Sequence, residues 1–185
     1  MTGFEEYIYV LDFLPEGKSM MRTREALAQG IGLGHFTLLE VVAKENVSLM
    51  LGNKVYIGKE ERKEISRIKR RIGYPELSSA SKMELPGVIK KIVMEREKDF
   101  IAFFNTCSPI SMRLHQLELL PGVGKKHLEH ILSVRQAKPF ESFEDLKARV
   151  PLLSDPVSLI AQRVIEELQG DVKHYLFVRP YVIQQ

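Results

Sequence analysis

An α+β fold, a small β-barrel followed by an all-helical domain, is predicted by three features of this sequence. Short apolar runs separated by turn residues fill residues 7–57, as strands of a small barrel do. From residue 108 onward the apolar residues recur at helical spacing instead. Pro75 and the run Ser78, Ser79, Ala80, Ser81 mark a break between the two patterns. The predicted divisions are 1–75, a barrel of oligonucleotide-binding or S1 type with a trailing basic helix; 76–107, a connecting helical segment; 108–170, the helical domain; and 171–185, a terminal strand or tail.

Tyr7, Tyr9, Leu11 and Phe13 alternate with Ile8, Val10 and Asp12, the period of a strand, and residues 36–42 repeat an apolar extended run. Lys44, Glu45 and Asn46, then Gly52 and Asn53, punctuate two shorter runs at 47–51 and 55–57 as hairpin turns would. The polar, glycine-bearing stretch 15–34, with Lys18, Arg22 and Arg24, reads as a long loop or irregular strand. Residues 59–71 hold seven basic against three acidic side chains, and Ile65, Ile68 and Ile72 at helical spacing predict an amphipathic helix with a positive outer face. Lys69, Arg70 and Arg71 close that face.

Pro86 suits the first turn of a helix running to about residue 105, with Val88, Ile89, Ile92 and Val93 as its buried stripe and Phe100, Ile101 and Phe104 continuing it. Ser108 and Pro109 make a cap and first-turn pair for a helix presenting Ile110, Leu114 and Leu117. Leu128, Ile131, Leu132 and Arg135 set the facing stripe on the next helix. Ser142 with Asp145 caps a short third helix, and Asp155 with Pro156 caps a fourth that ends at Gly170. Residues 173–182 read as a terminal strand.

At 185 residues the chain can bury a core without covalent staples, and its single cysteine, Cys107, precludes a disulfide framework within it. A net charge of +3 and a pI near 8.9 lean toward acidic partners. No apolar run reaches membrane-spanning length and the first residues lack signal-peptide grammar, so a cytoplasmic protein that does not engage membranes is expected.

The stretch Leu120, Pro121, Gly122, Val123, Gly124, Lys125, Lys126 carries the most specific signal. Proline stops one helix, two glycines permit backbone angles closed to other residues, and two lysines open the next helix. Unpaired N–H groups there bear partial positive charge, which the lysines oppose by about 0.3–1 kcal/mol each, so a bound anion relieves both. A phosphodiester fits. With Arg135, Pro139, Phe140, Ser142, Phe143 and Glu144 to Leu146, this bend makes residues 108–170 resemble the tandem helix-hairpin-helix module of DNA repair, competence and recombination proteins. The resemblance implies that the amides of Gly122, Gly124 and Lys126 hold a backbone phosphate without reading bases. Leu128 departs from that pattern, standing where the module usually has a small residue. Val150, Pro151, Leu152, Leu153 and Ser154 depart further, falling where a second hairpin's glycines belong. The whole chain also resembles an uncharacterised archaeal family of predicted RNA- or nucleic-acid-binding proteins, through its order of parts and the run from Asn53 to Lys59.

Other fragments lead nowhere chemical. Gly17, Lys18 and Ser19 lack a P-loop's upstream glycine, and Gly30, Gly32 and Gly34 are followed by His35 where a dinucleotide loop needs glycine. His127 and His130 have no further ligands nearby for zinc. Glu60, Glu61 and Glu64 sit among lysines and arginines as ordinary ion-pair partners, and Cys107 lacks a paired histidine. Tyr7, Tyr9, Phe13, Phe36 and Tyr56 are candidates for base stacking, with alternation burying most of them. The expected function is non-enzymatic, sequence-independent nucleic-acid binding without cofactor or metal. Gly122, Val123, Gly124, Lys125, Lys126, Lys69, Arg70 and Arg71 form the interface, with RNA favoured over DNA because one hairpin is lost. Protein partners would supply specificity. A protein-interaction scaffold and a DNA-repair accessory factor are the alternatives.

Overall fold

The computed structural model describes residues 4–17 and 25–181. Lys18, Arg22 and Arg24 lie outside them. The chain divides into two compact units, Met1–Val88 with Glu167–Gln185, and Ile89–Glu166. Among the described residues no helix is long and apolar enough to cross a membrane.

The first unit is built on a curled, five-stranded antiparallel sheet: β1 (Tyr7–Leu14), β2 (Leu27–Gly32), β3 (Leu38–Ala43), β4 (Lys54–Tyr56) and β5 (Ile65–Arg71), in the order β4-β1-β2-β3-β5. Ile8, Val10, Ala28, Val41, Val55 and Ile65 fill its apolar face. Because every ladder is antiparallel, β4 and β5 run in the same direction at opposite edges and cannot close on one another as a hairpin. No ladder joins β4 to β5 among the described residues, so the closed barrel expected from the sequence is a half-barrel.

Three local expectations are corrected here. The predicted basic helix at 59–71 is strand β5. Val42 pairs Arg67 and Val41 pairs Ile68, but Ala43 pairs Ile65, so Ser66 is an extra residue in a bulge; Lys69 is a second. One bulge turns the strand's two-residue period into three, which puts Ile65 and Ile68 on one face and imitates a helix. The expected loop at 15–34 contains β2. Its glycines are strand residues because side chains of β1 and the segment before it take the space of their Cβ atoms: a Cβ on Gly30 would lie 2.7 Å from Ile8 Cδ1, and one on Gly32 would lie 2.0 Å from Glu5 Cδ. Residues 47–51 form no strand, since the Val10 bulge is met by Gly52 and Asn53 instead, through Gly52 N–H to Val10 O (2.7 Å) and Val10 N–H to Asn53 O (3.0 Å).

Across the opposite face of the sheet runs a row of polar partners, Asp12, Gln29, Glu40 and Arg70, one from each of four neighbouring strands. Ser78 Oγ donates to Asp12 Oδ2 at 2.6 Å, Ser81 Oγ donates to Gln29 Oε1 at 2.7 Å, and Gln29 Nε2 donates to Glu76 O at 3.1 Å. Ser78 also caps α1 (Ser79–Glu95) by accepting from Ser81 N–H at 3.0 Å. That cap sets the helix start, so Pro86 falls inside α1 rather than opening a helix. The ring is exposed.

In the second unit α1 ends at Glu95 and α2 (Glu97–Thr106) starts after its N-cap Arg96, so the single helix expected to residue 105 is two. The expected stripe Val88, Ile89, Ile92, Val93, Phe100, Ile101 and Phe104 is buried throughout. The helix expected from Ser108 is instead a short hairpin, β6 (Pro109–Ser111) and β7 (Leu114–His115), followed by one 3-10 turn at Gln116–Leu119. Gln116 closes that hairpin by giving its backbone N–H to Ser108 O and accepting Ser108 N–H on its side-chain oxygen. Helices α3 (Lys125–Ala137), α4 (Phe143–Arg149) and α5 (Pro156–Gln169) follow, with Ser142 and Asp155 capping as expected and Gly170 ending α5 at φ 88°. The tail does not form the expected strand among its described residues. Both oxygens of buried Glu167 accept its amides, from Leu176, Phe177 and Val178 at 2.7–2.9 Å, so the backbone turns about a carboxylate rather than along a sheet edge.

Glu5 is 6% exposed and accepts the amides of Gly34, His35 and Thr37 at 2.7–3.1 Å. Gly32→Ala is expected to displace it and cost about 1.5–3 kcal/mol, the range of one hydrogen bond to a charged group. In a Glu5→Ala background the same change should cost much less, which a double-mutant cycle by urea unfolding measures.

Candidate nucleic-acid interface

The bend predicted from the sequence is formed by Leu120 and Val123, both buried, with Val123 N–H donating to Leu120 O at 3.1 Å. Gly122 takes φ 82°, a conformation other residues adopt only under strain, and Gly124 is the N-cap of α3. Around both glycines nothing lies within 4 Å of where a Cβ would stand. Gly122, Gly124, Lys125 and Lys126 are exposed, and no acidic residue occupies the first turn of α3. Its leading N–H groups therefore meet solvent without a side-chain cap. Val123 plugs the bend from within rather than facing a ligand.

His127, in the same first turn, places a ring nitrogen 3.1 Å from Leu152 O. That contact ties the bend to the segment 150–154, where the glycines of a second hairpin are missing. Two arginines hold the surrounding helices by their carbonyl ends. Arg135 donates to Phe104 O and Cys107 O, each at 2.9 Å, at the end of α2. Arg149 donates to Val134 O at 3.0 Å and to Lys138 O at the end of α3, and stacks 4.8 Å from the Phe140 ring centroid. Arg135, which the sequence placed on a packing stripe and in the helix-hairpin-helix pattern, is thus a cap for the preceding helix α2.

Cys107 is the C-cap of α2, 5% exposed, and burial raises its thiol pKa despite Arg135 beside it. A stabilised thiolate before a helix start is not what the fold builds. His115, 5% exposed, accepts Leu117 N–H on Nδ1 at 3.1 Å and leads the chain toward the bend.

The basic residues of β5 sit in the first unit, apart in sequence from the bend, and are engaged by carboxylates. Lys69 and Arg67 share Glu25, at 3.3 and 2.6 Å, and the Arg67 bond first, then the Lys69 bond, holds that carboxyl below its ordinary pKa. Arg70 bridges Glu76 and Glu40 at 2.5 and 3.0 Å, and these partners raise its pKa. Arg71 donates to Arg179 O and lies 5.4 Å from the Tyr181 ring centroid, with burial pulling its pKa down. Of the stacking candidates, Tyr9 and Phe36 are buried at 3% and 1%, Phe13 and Tyr56 are half-buried, and Tyr7 is exposed with Lys54 Nζ 4.7 Å from its ring centroid.

Residues 4–179 match the model of a family described as "Protein of unknown function (DUF655)". An uncharacterized protein of Methanocaldococcus jannaschii, MJ0038, is 44% identical over 178 residues, spanning 95% of this chain and 81% of the relative. The crystal structure of Af1531 from Archaeoglobus fulgidus, presented as a DUF655 member, superposes with a TM-score of 0.88 at 45% identity, covering 95% of this chain and all of that one.

Two measurements probe this arrangement. Glu40 is 1% exposed, so Arg70→Ala leaves it without its guanidinium and is expected to cost about 2–3 kcal/mol. That lies below the range of about 3–5 kcal/mol for a fully buried pair, because the Arg70 side chain is 43% exposed. Burial, with Arg135 adding to it, lowers the His115 pKa below the ordinary 6.5. The unfolded chain then binds a proton that the folded chain refuses, so this contribution is complete above pH 6.5 and is lost as pH falls through the folded value. His115→Asn, which keeps an acceptor for Leu117 N–H, should flatten the fall in stability that sets in as pH drops below the ordinary 6.5 in urea titrations.

Proposed function

This chain belongs to the DUF655 family, and we propose that it is a non-enzymatic protein that binds RNA without sequence preference through the bend at Gly122 to Lys126. The observation carrying the reading is the combination at the start of α3: uncapped N–H groups, two exposed glycines with open space above them, and two exposed lysines. A helix of 13 residues supplies a full terminal dipole, and lysines placed where they oppose it are relieved by an anion. A nucleic-acid phosphate brings that anion on a chain with no bases to read at this contact.

The helix-hairpin-helix likeness supports this reading in its second arm, since α3 begins at the glycines as such a module requires, while the first arm is a 3-10 turn. The second bend, Val150 to Ser154, has no glycine and its Leu152 carbonyl faces His127. One clamp grips one strand, which favours RNA over a duplex held on both sides. The oligonucleotide-binding character expected of the N-terminal part supports it too, through the curled sheet and the exposed Tyr7 beside Lys54. Lys69 and Arg70, held by carboxylates, are assigned to the fold rather than to the interface.

Three exposed apolar side chains in the second unit, Met112 at the β6–β7 tip, Ile110 and Leu152, favour a second reading as a protein-docking surface. The two readings part on charge. Lys125→Glu with Lys126→Glu is expected to weaken retention of a single-stranded RNA by about tenfold or more at about 50 mM salt, and log affinity of the parent chain should fall with log salt at a slope of about −2 to −4 for three to five phosphates. Affinity unmoved by the double reversal, together with a flat salt response, would falsify RNA binding at this bend and leave the docking surface. Competition by duplex DNA at equal salt that displaces the RNA would instead assign the chain to DNA.

A further inference from the structure

We propose that a cavity at the edge of the N-terminal half-barrel accepts one unpaired nucleotide, its base against Phe4 and its phosphate on Lys59 and Arg62. The cavity, about 410 Å³, lies within the range of about 300–1,000 Å³ usual for small-ligand sites. Its floor is apolar, from Leu39, Ile57 and Ile68. Phe4 stands at the mouth with 72% of its surface exposed, and Ile68 is 37% exposed. A large aromatic left this open beside an apolar hollow offers a flat π-face, on which any base stacks irrespective of identity.

The rim supplies the complementary charge. Lys59 Nζ lies 5.9 Å from the Phe4 ring centroid, and Arg62 donates Nε to Gly58 O at 2.9 Å, which anchors its stem and leaves a planar fork suited to phosphate. Tyr56 fixes the loop that carries both. Its hydroxyl accepts Glu60 N–H at 3.1 Å, and a Cβ on Gly58 would fall 2.2 Å from that oxygen, so only glycine lets the chain pass. Glu5, at the cavity wall, spends both oxygens on three backbone amides, and Glu60 and Glu61 line an adjoining depression that Lys59 and Arg62 also border with Lys44, so three cations face two carboxylates there. A flexible aliphatic acid would use the hollow and the cations but has no need of the exposed ring. The ring selects for a base.

This inference rests on the reading of the chain as an RNA-binding protein, and adds a site that its clamp does not contain. The sequence holds no tryptophan, so Phe4→Trp places a single tryptophan at the mouth, excited selectively at wavelengths the six tyrosines do not absorb. With the full chain, adenosine monophosphate and a single-stranded RNA pentamer should each quench that emission. Lys59→Glu with Arg62→Glu in the same background should abolish the quenching, and Phe4→Ala in the parent chain should weaken pentamer binding by about tenfold, the loss of one stacked base. Far-ultraviolet circular dichroism checks that each variant is folded. Pentamer retained on the parent chain with no change in Trp emission, and no loss in Phe4→Ala, overturns the cavity and leaves the clamp at Lys125 and Lys126 standing. Quenching by the monophosphate with no RNA retained at about 50 mM salt overturns the RNA reading and assigns the cavity to free nucleotides. Emission that responds to a medium-chain fatty acid and to neither nucleotide overturns the inference in favour of an aliphatic acid.

Discussion

A buried turn must find partners for its backbone amides, and in this protein two carboxylates supply them. Glu5 gathers the amides of Gly34, His35 and Thr37, and Glu167 gathers those of Leu176, Phe177 and Val178. Removing an ionised carboxylate from water costs several kcal/mol, which three charge-assisted bonds to one group offset. The geometry around Glu5 depends on that balance. Phe36 sits at φ 54°, an uncommon conformation for a large residue, yet its ring is 1% exposed; the amides on either side, bound to the carboxylate, hold the turn where the ring can be buried. Glu5 also stands before β1 while its partners stand between β2 and β3, so one side chain ties the segment entering β1 to the β2–β3 hairpin.

The same economy governs the positive charge. Arg70 completes a polar row whose other members, Asp12, Gln29 and Glu40, face it across successive strands. A slip of one residue in any ladder would turn that row into the apolar face, so the row specifies register as strongly as the hydrophobic alternation does. Arg135 and Arg149 meet helix carbonyls, and Arg67 and Lys69 meet Glu25. Arg67, Lys69, Arg70, Arg135 and Arg149 are thus committed to architecture, which makes them distinct in kind from the exposed pair at Lys125 and Lys126.

Strand β1, helices α4 and α5 and the glycine bend were legible because each is written in local terms: alternation at Tyr7 to Phe13, caps at Ser142 and Asp155, and two glycines beside a proline. The errors have one cause. Where a residue's role depends on something distant, local period misleads. A bulge opposite β3 made Ile65 and Ile68 look helical, and Gly30 and Gly32 looked like a loop because Ile8 and Glu5, which claim their Cβ space, lie far back in the chain. Pro86 was read as a helix start because the cap that precedes it is a serine whose oxygen also serves β1. At the candidate site the bend was readable and the cavity was not, since Phe4, Lys59 and Arg62 belong to no spaced motif and meet only through the curl of the sheet.

Sequence-independent binding follows from this division of labour if neither contact is sufficient alone. A single stacked base contributes about 1–3 kcal/mol and a single phosphate clamp a similar amount, each corresponding to a dissociation constant no tighter than about the millimolar range. On that proposal a duplex, whose bases are not free to leave the stack, can offer a phosphate to the bend but no base to the cavity. Selectivity for unpaired strands therefore requires no base-reading side chain at the bend, only that one contact demands a free base and the other demands a backbone.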